Sequence, residues 1–443
     1  MSEPLITVIM PSLNVRKYIR TCMDSVVGQS RQELEILCID AGSTDGTLEI
    51  LKEYAQADNR IKICQSDVKS YGKQINMGIE LARGKYIAVA ETDDYIDPQM
   101  YEKLYAIAEA DQLDFVKADF WGFRVLRNGN ILYDEGRVWS NDEVYGKILS
   151  VEEYPELYVR DVNIWKGLYN RNFLKNNDIR LNETPGAAFQ DIGFCHLFLL
   201  HAKRGMYVKD KLYFYRRDNA ESSSNRPYGL CYAYQEYRRL FSLPLKDGKT
   251  EQFYHYLYIR MTYVFMGEYE KTLQYDQVLG KEFQEAISWF KDRLSKGIQQ
   301  KQITEKDIGE KIWEKLNQII NHEEQFLAEW YKKKNKVEKE QNTLLNKVGQ
   351  EKAIIFGCGH YGRECLLFCD NYNVSIAAFS DNNSGLWGEN HFGYAVCNPM
   401  ELHSNYPDTK ILIATPKYEK EIRKQLVEIG IREDYIISFP VFV

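Results

Sequence analysis

Four short apolar runs near the N-terminus, residues 5–10 (LITVIM), 34–39 (LEILCI), 61–64 and 86–90, are separated by helically patterned segments at 15–28, 44–56 and 73–82. Runs this short and this continuously apolar suit strands buried on both faces. When such strands alternate with helices they build a mostly parallel sheet, because each parallel neighbour needs a crossover and the crossover helix covers a face of the sheet. The expected fold class is therefore α/β. In an open sheet of this kind ligands bind beyond the carboxyl ends of the strands, so the loops there carry the functional reading.

The fourth run stops at Glu91, Thr92, Asp93 and Asp94. Clustered carboxylates at a strand end repel one another unless a cation lies between them, which predicts a divalent metal holding a phosphate. The competing reading is a solvated turn that caps the helix after Pro98. Two further strand ends are also polar: the first run leads into Pro11, Ser12, Leu13 and Asn14, and the second into Asp40, Ala41, Gly42, Ser43, Thr44 and Asp45. A capping turn does not explain why three polar loops converge on one sheet edge. A site built from them would offer Asp40 to a base or ribose and the later acids to metal and phosphate.

Length and composition bound the rest. A chain of 443 residues suffices for two or three domains, and the expected boundaries are 1–227 for the first α/β domain, 228–347 for a helical region and 348–443 for a second, Rossmann-like α/β domain. In the helical region, Ile308, Ile312, Leu316, Ile319 and Ile320 form a stripe expected to face a core. The basic run at 331–342 reads as a solvated helix end or linker, or else as a contact for an anionic membrane surface. The helical region either mediates self-association or joins the two sheets. In the last part Gly357, Gly359 and Gly362 follow a strand and open a helix, with Asp381 about twenty residues on, the spacing of a dinucleotide loop. That loop holds a nucleotide phosphate, with Asp381 near its ribose, or serves packing or a partner without any cofactor. A net charge of -7 argues against nucleic acid as the main partner. No run of about twenty apolar residues and no secretion-type start are present, so the expected location is cytoplasmic, with any membrane contact peripheral. The nine cysteines lack C-x-x-C spacing and are expected to be small buried hydrophobes.

Taken in order, P-x-x-N after the first run, D-x-G-S-T-D-G-T after the second, N-M-G before the fourth, the acid-x-Asp-Asp at its end, W-K-x-L-Y-x-R-x-F and Q-D-I-G-F resemble the family-2 glycosyltransferases of the GT-A fold over residues 5–225. The resemblance implies transfer of a sugar, with inversion, from a nucleotide-sugar donor of the UDP-linked class to a hydroxyl. It implies Mg²⁺ or Mn²⁺ and no redox cofactor. It places Pro11, Asn14 and Asp40 at the nucleoside, Glu91 near the ribose, and Thr92, Lys73 and Asn76 on the donor side. Asp93 is the implied metal ligand, with Asp94 the other candidate across the turn, and Asp191 is the implied base. Trp165, Lys166 and Arg216 stand on the acceptor or phosphate side. Read as residues alone, Asp191 is equally a helix cap, Trp165 a core residue and Lys166 a surface charge. The sequence departs from the family pattern at Leu13, Ala41, Ile75, Glu91 and Gln190; at Ile75 a cation is missing, which Lys73 or Gln74 would have to replace. The implied acceptor is a glycan on lipid or protein in bacterial-type surface polysaccharide or glycoconjugate synthesis, at the inner membrane face. Two other functions compete: a nicotinamide-dependent sugar oxidoreductase centred on residues 357–362, and a nucleotide-sugar-binding protein with a decayed transferase site.

Overall fold

In the computed structural model, which describes residues 3–222, 228–244, 250–275, 280–349 and 351–441, the four apolar runs are strands of one sheet. The expected boundary at residue 227 lies outside the described residues. Strands β1 (Ile6–Ser12), β2 (Leu34–Asp40), β3 (Ile61–Gln65) and β4 (Tyr86–Val89) stand in the order β3-β2-β1-β4 and are all parallel. Helices α1 (Ile19–Val27), α2 (Thr47–Ala57) and α3 (Tyr71–Leu81) are the crossovers. Every residue of β1, β2 and β4 is buried, as strands covered on both faces must be. The N-M-G motif has a packing reason: a Cβ on Gly78 would lie 2.5 Å from Ile9 Cγ2, so glycine lets α3 close onto β1.

Beyond β4 the sheet becomes mixed. The chain continues through β5 (Tyr95–Ile96), α4 (Met100–Ala110), β6 (Phe115–Val125), β7 (Ile131–Gly136), α5 (Leu157–Arg160), β8 (Gly167–Asn170), α6 (Arg171–Asn176), α7 (Gln190–His201) and β9 (Gly205–Arg216). The sheet order is β3-β2-β1-β4-β8-β6-β9-β5, with β8 antiparallel to both β4 and β6. The antiparallel insertion brings the segment before β8, residues 161–166, next to the end of β4. Helices α8 (Gly229–Phe241), α9 (Thr250–Gln274), α10 (Lys281–Gln299), α11 (Glu305–Ile308) and α12 (Glu310–Asn321) follow. The expected stripe at 308–320 is interrupted at Gly309, whose φ of 80° ends one helix before the next begins, while Leu316 and Ile319 are fully buried.

The chain divides into two compact units, residues 1–123 with 134–320, and residues 124–133 with 321–443. The second contains α13 (Glu323–Val348), inside which the basic run at 331–342 lies, then β10 (Ala353–Phe356), α14 (His360–Asn371), β11 (Ile376–Ser380), β12 (Asn390–His391), β13 (Tyr394–Cys397), α15 (Leu402–Asn405), β14 (Lys410–Ile413), α16 (Glu419–Glu428) and β15 (Ile436–Ser438). Its sheet runs β12-β13-β11-β10-β14-β15, parallel except for β12. A Cβ on Gly362 would lie 1.9 Å from the Gly357 carbonyl oxygen, so this glycine brings α14 tight against the loop after β10. No helix among the described residues is long and apolar enough to cross a membrane.

Candidate active site

The carboxyl ends of β1 and β4, the first turn of α7 and one face of α9 enclose a cleft of about 420 Å³, within the range of about 300–1,000 Å³ usual for small-molecule sites. Pro11, Glu91, Thr92, Asp93, Trp165 and Asp191 of the expected residues all line it. Residues a hundred positions apart meet there because β8 enters between β4 and β6, which carries Trp165 to the end of β4.

The turn after β4 divides its acids. Thr92 is buried and donates its hydroxyl to the Pro11 carbonyl at 2.8 Å, which ties this turn to the end of β1. Glu91 accepts from the Tyr71 hydroxyl at 2.5 Å. Its carboxyl is pushed up to about 8, first by burial and then by the neighbouring Asp93 and Asp191, with the Tyr71 hydrogen bond opposing. Asp93 lines the cleft, and its Oδ2 accepts from Asn219 Nδ2 at 2.8 Å. Asp94 turns the other way. It is 1% exposed, one oxygen accepting from the Tyr213 hydroxyl at 2.8 Å and the other from the Arg216 amide at 2.7 Å, and burial raises its pKa well above the carboxylate range. It fixes the turn against β9 and has no open edge toward the cleft.

Among the described residues no three His, Cys, Asp or Glu side chains come together as a metal cage. Asp93 offers a cleft-facing carboxylate with one oxygen outside the Asn219 bond. One carboxylate fits a hard cation that takes its remaining ligands from substrate phosphates and water, which is how Mg²⁺ is commonly held.

Asp191 is the second residue of α7, whose N-cap Phe189 holds a left-handed φ of 67°. A bulky residue there is strained, by about 1–2 kcal/mol, and the kink starts α7 at the cleft wall. Gln190, where the family has an acid, is buried, and its amide donates to the Thr184 hydroxyl at 3.1 Å, stapling the turn before α7. Asp191 Oδ1 accepts from the Ile192 amide at 3.0 Å, so the side chain does cap its own helix while lining the cleft. Burial raises its pKa to about 6, against the opposing pull of the Ile192 amide and Arg260. At neutral pH it is a carboxylate with a basicity suited to taking a proton.

Other expected residues lie outside the cleft lining, each for a visible reason. Asp40 is fully buried and accepts four hydrogen bonds, from the Gly42 and Ser43 amides and the Ser43 and Ser12 hydroxyls, so it shapes its own loop. Asn14, at φ 55°, receives the Thr44 amide on its side chain at 2.8 Å and joins the same loop. Asn76 is buried and makes paired bonds with the Leu181 backbone, each at 3.0 Å, while Lys73 pairs with Glu183 at 3.3 Å. Both hold the segment that leads to α7. Gln74, between these two, does reach the cleft, and its amide bridges the Ser12 and Ile39 carbonyls. Arg216 donates to the Asp93 carbonyl at 2.8 Å and lies against Tyr18 and Phe123, bracing the turn after β4 from behind. Trp165 is 5% exposed and stacks on Tyr213 and Tyr215 at 4.3 and 5.1 Å, so it is both core and cleft wall.

Lys166 is the clearest displacement: it is 1% exposed and 3.6 Å from Asp161, which also pairs with buried Lys117 at 2.7 Å and accepts from Tyr207. Burial lowers the Lys166 pKa to about 8 against the attraction of Asp161, and the two lysines hold Asp161 below its ordinary range in spite of its burial. Lys117 also donates to the Asn163 carbonyl, so this ion cluster anchors the cleft-lining segment 162–165. Removing the shared anion strands two buried ammonium groups. Asp161→Asn is therefore expected to lower unfolding free energy by about 3–5 kcal/mol, read by urea unfolding; a loss under about 1 kcal/mol would show that the cluster holds nothing.

The motifs did not foretell Tyr71, Tyr215, Arg260 and Glu268, which also line the cleft. Arg260 and Glu268 come from one face of α9, at i and i+8, and carry no local motif. In the second unit, Asp381 accepts from the Cys358 amide at 2.8 Å and from the Asn383 amide at 2.9 Å, so its carboxylate closes onto the glycine loop of Gly357 and Gly359.

Residues 7–165 match the family described as Glycosyl transferase family 2, and residues 349–437 the family described as C2185-like, N-terminal. Glycosyltransferase GlyG of Streptococcus pneumoniae is 28% identical over 291 residues, which cover 64% of this chain and 93% of GlyG. The uncharacterized glycosyltransferase YibD of Escherichia coli is 30% identical over 227 residues, covering 49% of this chain and 63% of YibD, so the chain spans less than two thirds of that relative. Among solved structures, S. aureus TarS 1–349 in complex with UDP-GlcNAc is similar at a TM-score of 0.51 and 18% identity, over 76% of this chain and 91% of that one, a likeness of fold.

Proposed function

We infer what this chain transfers from the premise that it belongs to the family-2 glycosyltransferases of the GT-A fold. The proposed reaction moves a sugar from a UDP-linked donor to a hydroxyl of a glycan acceptor, with inversion at the anomeric carbon. The observation that carries it is one cleft lined both by the strand-end turn bearing Asp93 and by the helix start bearing Asp191. In this reading Asp191 takes the proton of the acceptor hydroxyl as its oxygen attacks the anomeric carbon, and the diphosphate leaves from the other side. Asp93, rather than Asp94, would hold Mg²⁺ or Mn²⁺, and a bound cation would offset the charge that develops on the leaving diphosphate. Pro11, Ser12 and Gln74 form the wall on the nucleoside side, with Asp40 and Asn14 acting through the loop they build. The aromatic wall of Trp165 and Tyr215 suits a sugar ring. The neighbour that binds UDP-GlcNAc supports the choice of UDP. In this reading the acceptor is a glycan of surface polysaccharide or glycoconjugate synthesis, met at the inner membrane face.

The test is release of nucleoside diphosphate from a panel of nucleotide sugars by the purified chain, with Mg²⁺, with Mn²⁺ and with EDTA. UDP release that EDTA removes is expected. Release from GDP- or ADP-sugars alone would overturn the donor, and full turnover in EDTA would overturn the metal.

A further inference from the structure

The cleft is acidic. Its acidic lining residues, among those described, are Glu91, Asp93, Asp191, Glu221 and Glu268 against a single basic one, Arg260, and of these acids Glu91, pushed up to about 8, is mostly neutral at pH 7. Asp191 is also faced by Glu236 and Tyr237 from α8, by Tyr71 from α3, by Tyr169 from β8, and by Cys195 on its own helix. The two groups that oppose this with positive charge are Lys117 on β6 and Arg260 on α9. Lys117 is already committed to Asp161 and the Asn163 carbonyl. Arg260 is not committed: its Nη1 donates to the Val159 carbonyl at 3.4 Å, and its buried Nε has no acceptor. A buried guanidinium nitrogen without an acceptor is costly unless an anion meets its field.

We propose that Arg260 is a positioning residue for the base, its guanidinium supplying across the cleft the positive charge that keeps Asp191 ready to accept the acceptor's proton. The proposal rests on the reading of Asp191 as base. In that step a bond forms between the acceptor oxygen and the anomeric carbon, and the bond from that carbon to the donor diphosphate breaks with its electron pair. The hydroxyl proton passes to Asp191. A neutral replacement of Arg260 leaves Asp191 with burial and acidic neighbours and less to oppose them, so its pKa rises; below its pKa Asp191 is protonated and cannot act.

The experiment is the pH profile of kcat/KM for UDP release, using the donor found by the panel, in wild type, Arg260→Gln, Arg260→Met and Arg260→Lys. The neutral variants are expected to move the midpoint of the acidic limb upward by about one unit, which is about a tenfold loss on the acidic side and a smaller one at alkaline pH. Arg260→Lys should bring the midpoint back toward wild type. Equal loss at all pH values with an unmoved midpoint, in whichever neutral variant folds, would overturn the proposal, as would a lysine variant that behaves like the neutral ones. The underlying reading fails separately: wild-type turnover in Asp191→Asn would remove the base, whatever Arg260 does.

Discussion

Asp191→Asn is expected to lower kcat/KM by about 10²–10⁴-fold while leaving the fold intact. The amide keeps the shape of the carboxylate and can still accept from the Ile192 amide, a structural bond the side chain makes at 3.0 Å. What it loses is the capacity to take a proton. Thermal unfolding and UDP binding should therefore stay near wild type while turnover collapses, a combination that separates a chemical role from a capping role. The wild-type enzyme should in turn lose activity as pH falls through about 6, because burial raises the Asp191 pKa to that value and protonation removes the base. Turnover in the variant at the wild-type rate would sink the assignment.

Asp93→Asn is expected to cost a comparable factor, about 10²–10³-fold in kcat, with a different signature. Asparagine can keep the contact with Asn219, so the turn after β4 should persist. A neutral amide is a poor ligand for a hard divalent cation, so the dependence on Mg²⁺ or Mn²⁺ should weaken along with affinity for UDP in the presence of metal. Titration of UDP by calorimetry, with and without metal, reads this directly. Metal-stimulated UDP binding at wild-type strength in the variant would move the metal role elsewhere in the cleft.

Family motifs fall into two physical kinds here. Thr92, Asp93, Trp165 and Asp191 line the cleft, and a reader of the motifs would find them. Asp40, Asn14, Asn76 and Gly78 belong to equally specific motifs, yet they build loops and close packing around it. Spacing alone does not separate these kinds, because a carboxylate that lines a cleft and one that accepts four loop hydrogen bonds occupy the same letter. Lys166 makes the point most sharply. Beside Trp165 in the motif, it points into a buried ion cluster, since successive residues in extended chain face opposite ways.

The sequence by itself determined the α/β class, the four parallel strands and the strand end at which chemistry would gather. Those follow from local periodicity and from the rule that polar loops of a parallel sheet share one edge. The tertiary structure alone decided which acid of the turn after β4 faces the cleft, because Asp94 is claimed by Tyr213 and Arg216 from β9, over a hundred residues away. It also decided that a helix with no family motif completes the site, placing Arg260 and Glu268 in the cleft with Asp191. An amphipathic helix shows in its sequence that one face is covered, and the partner that covers it is settled only when the chain packs.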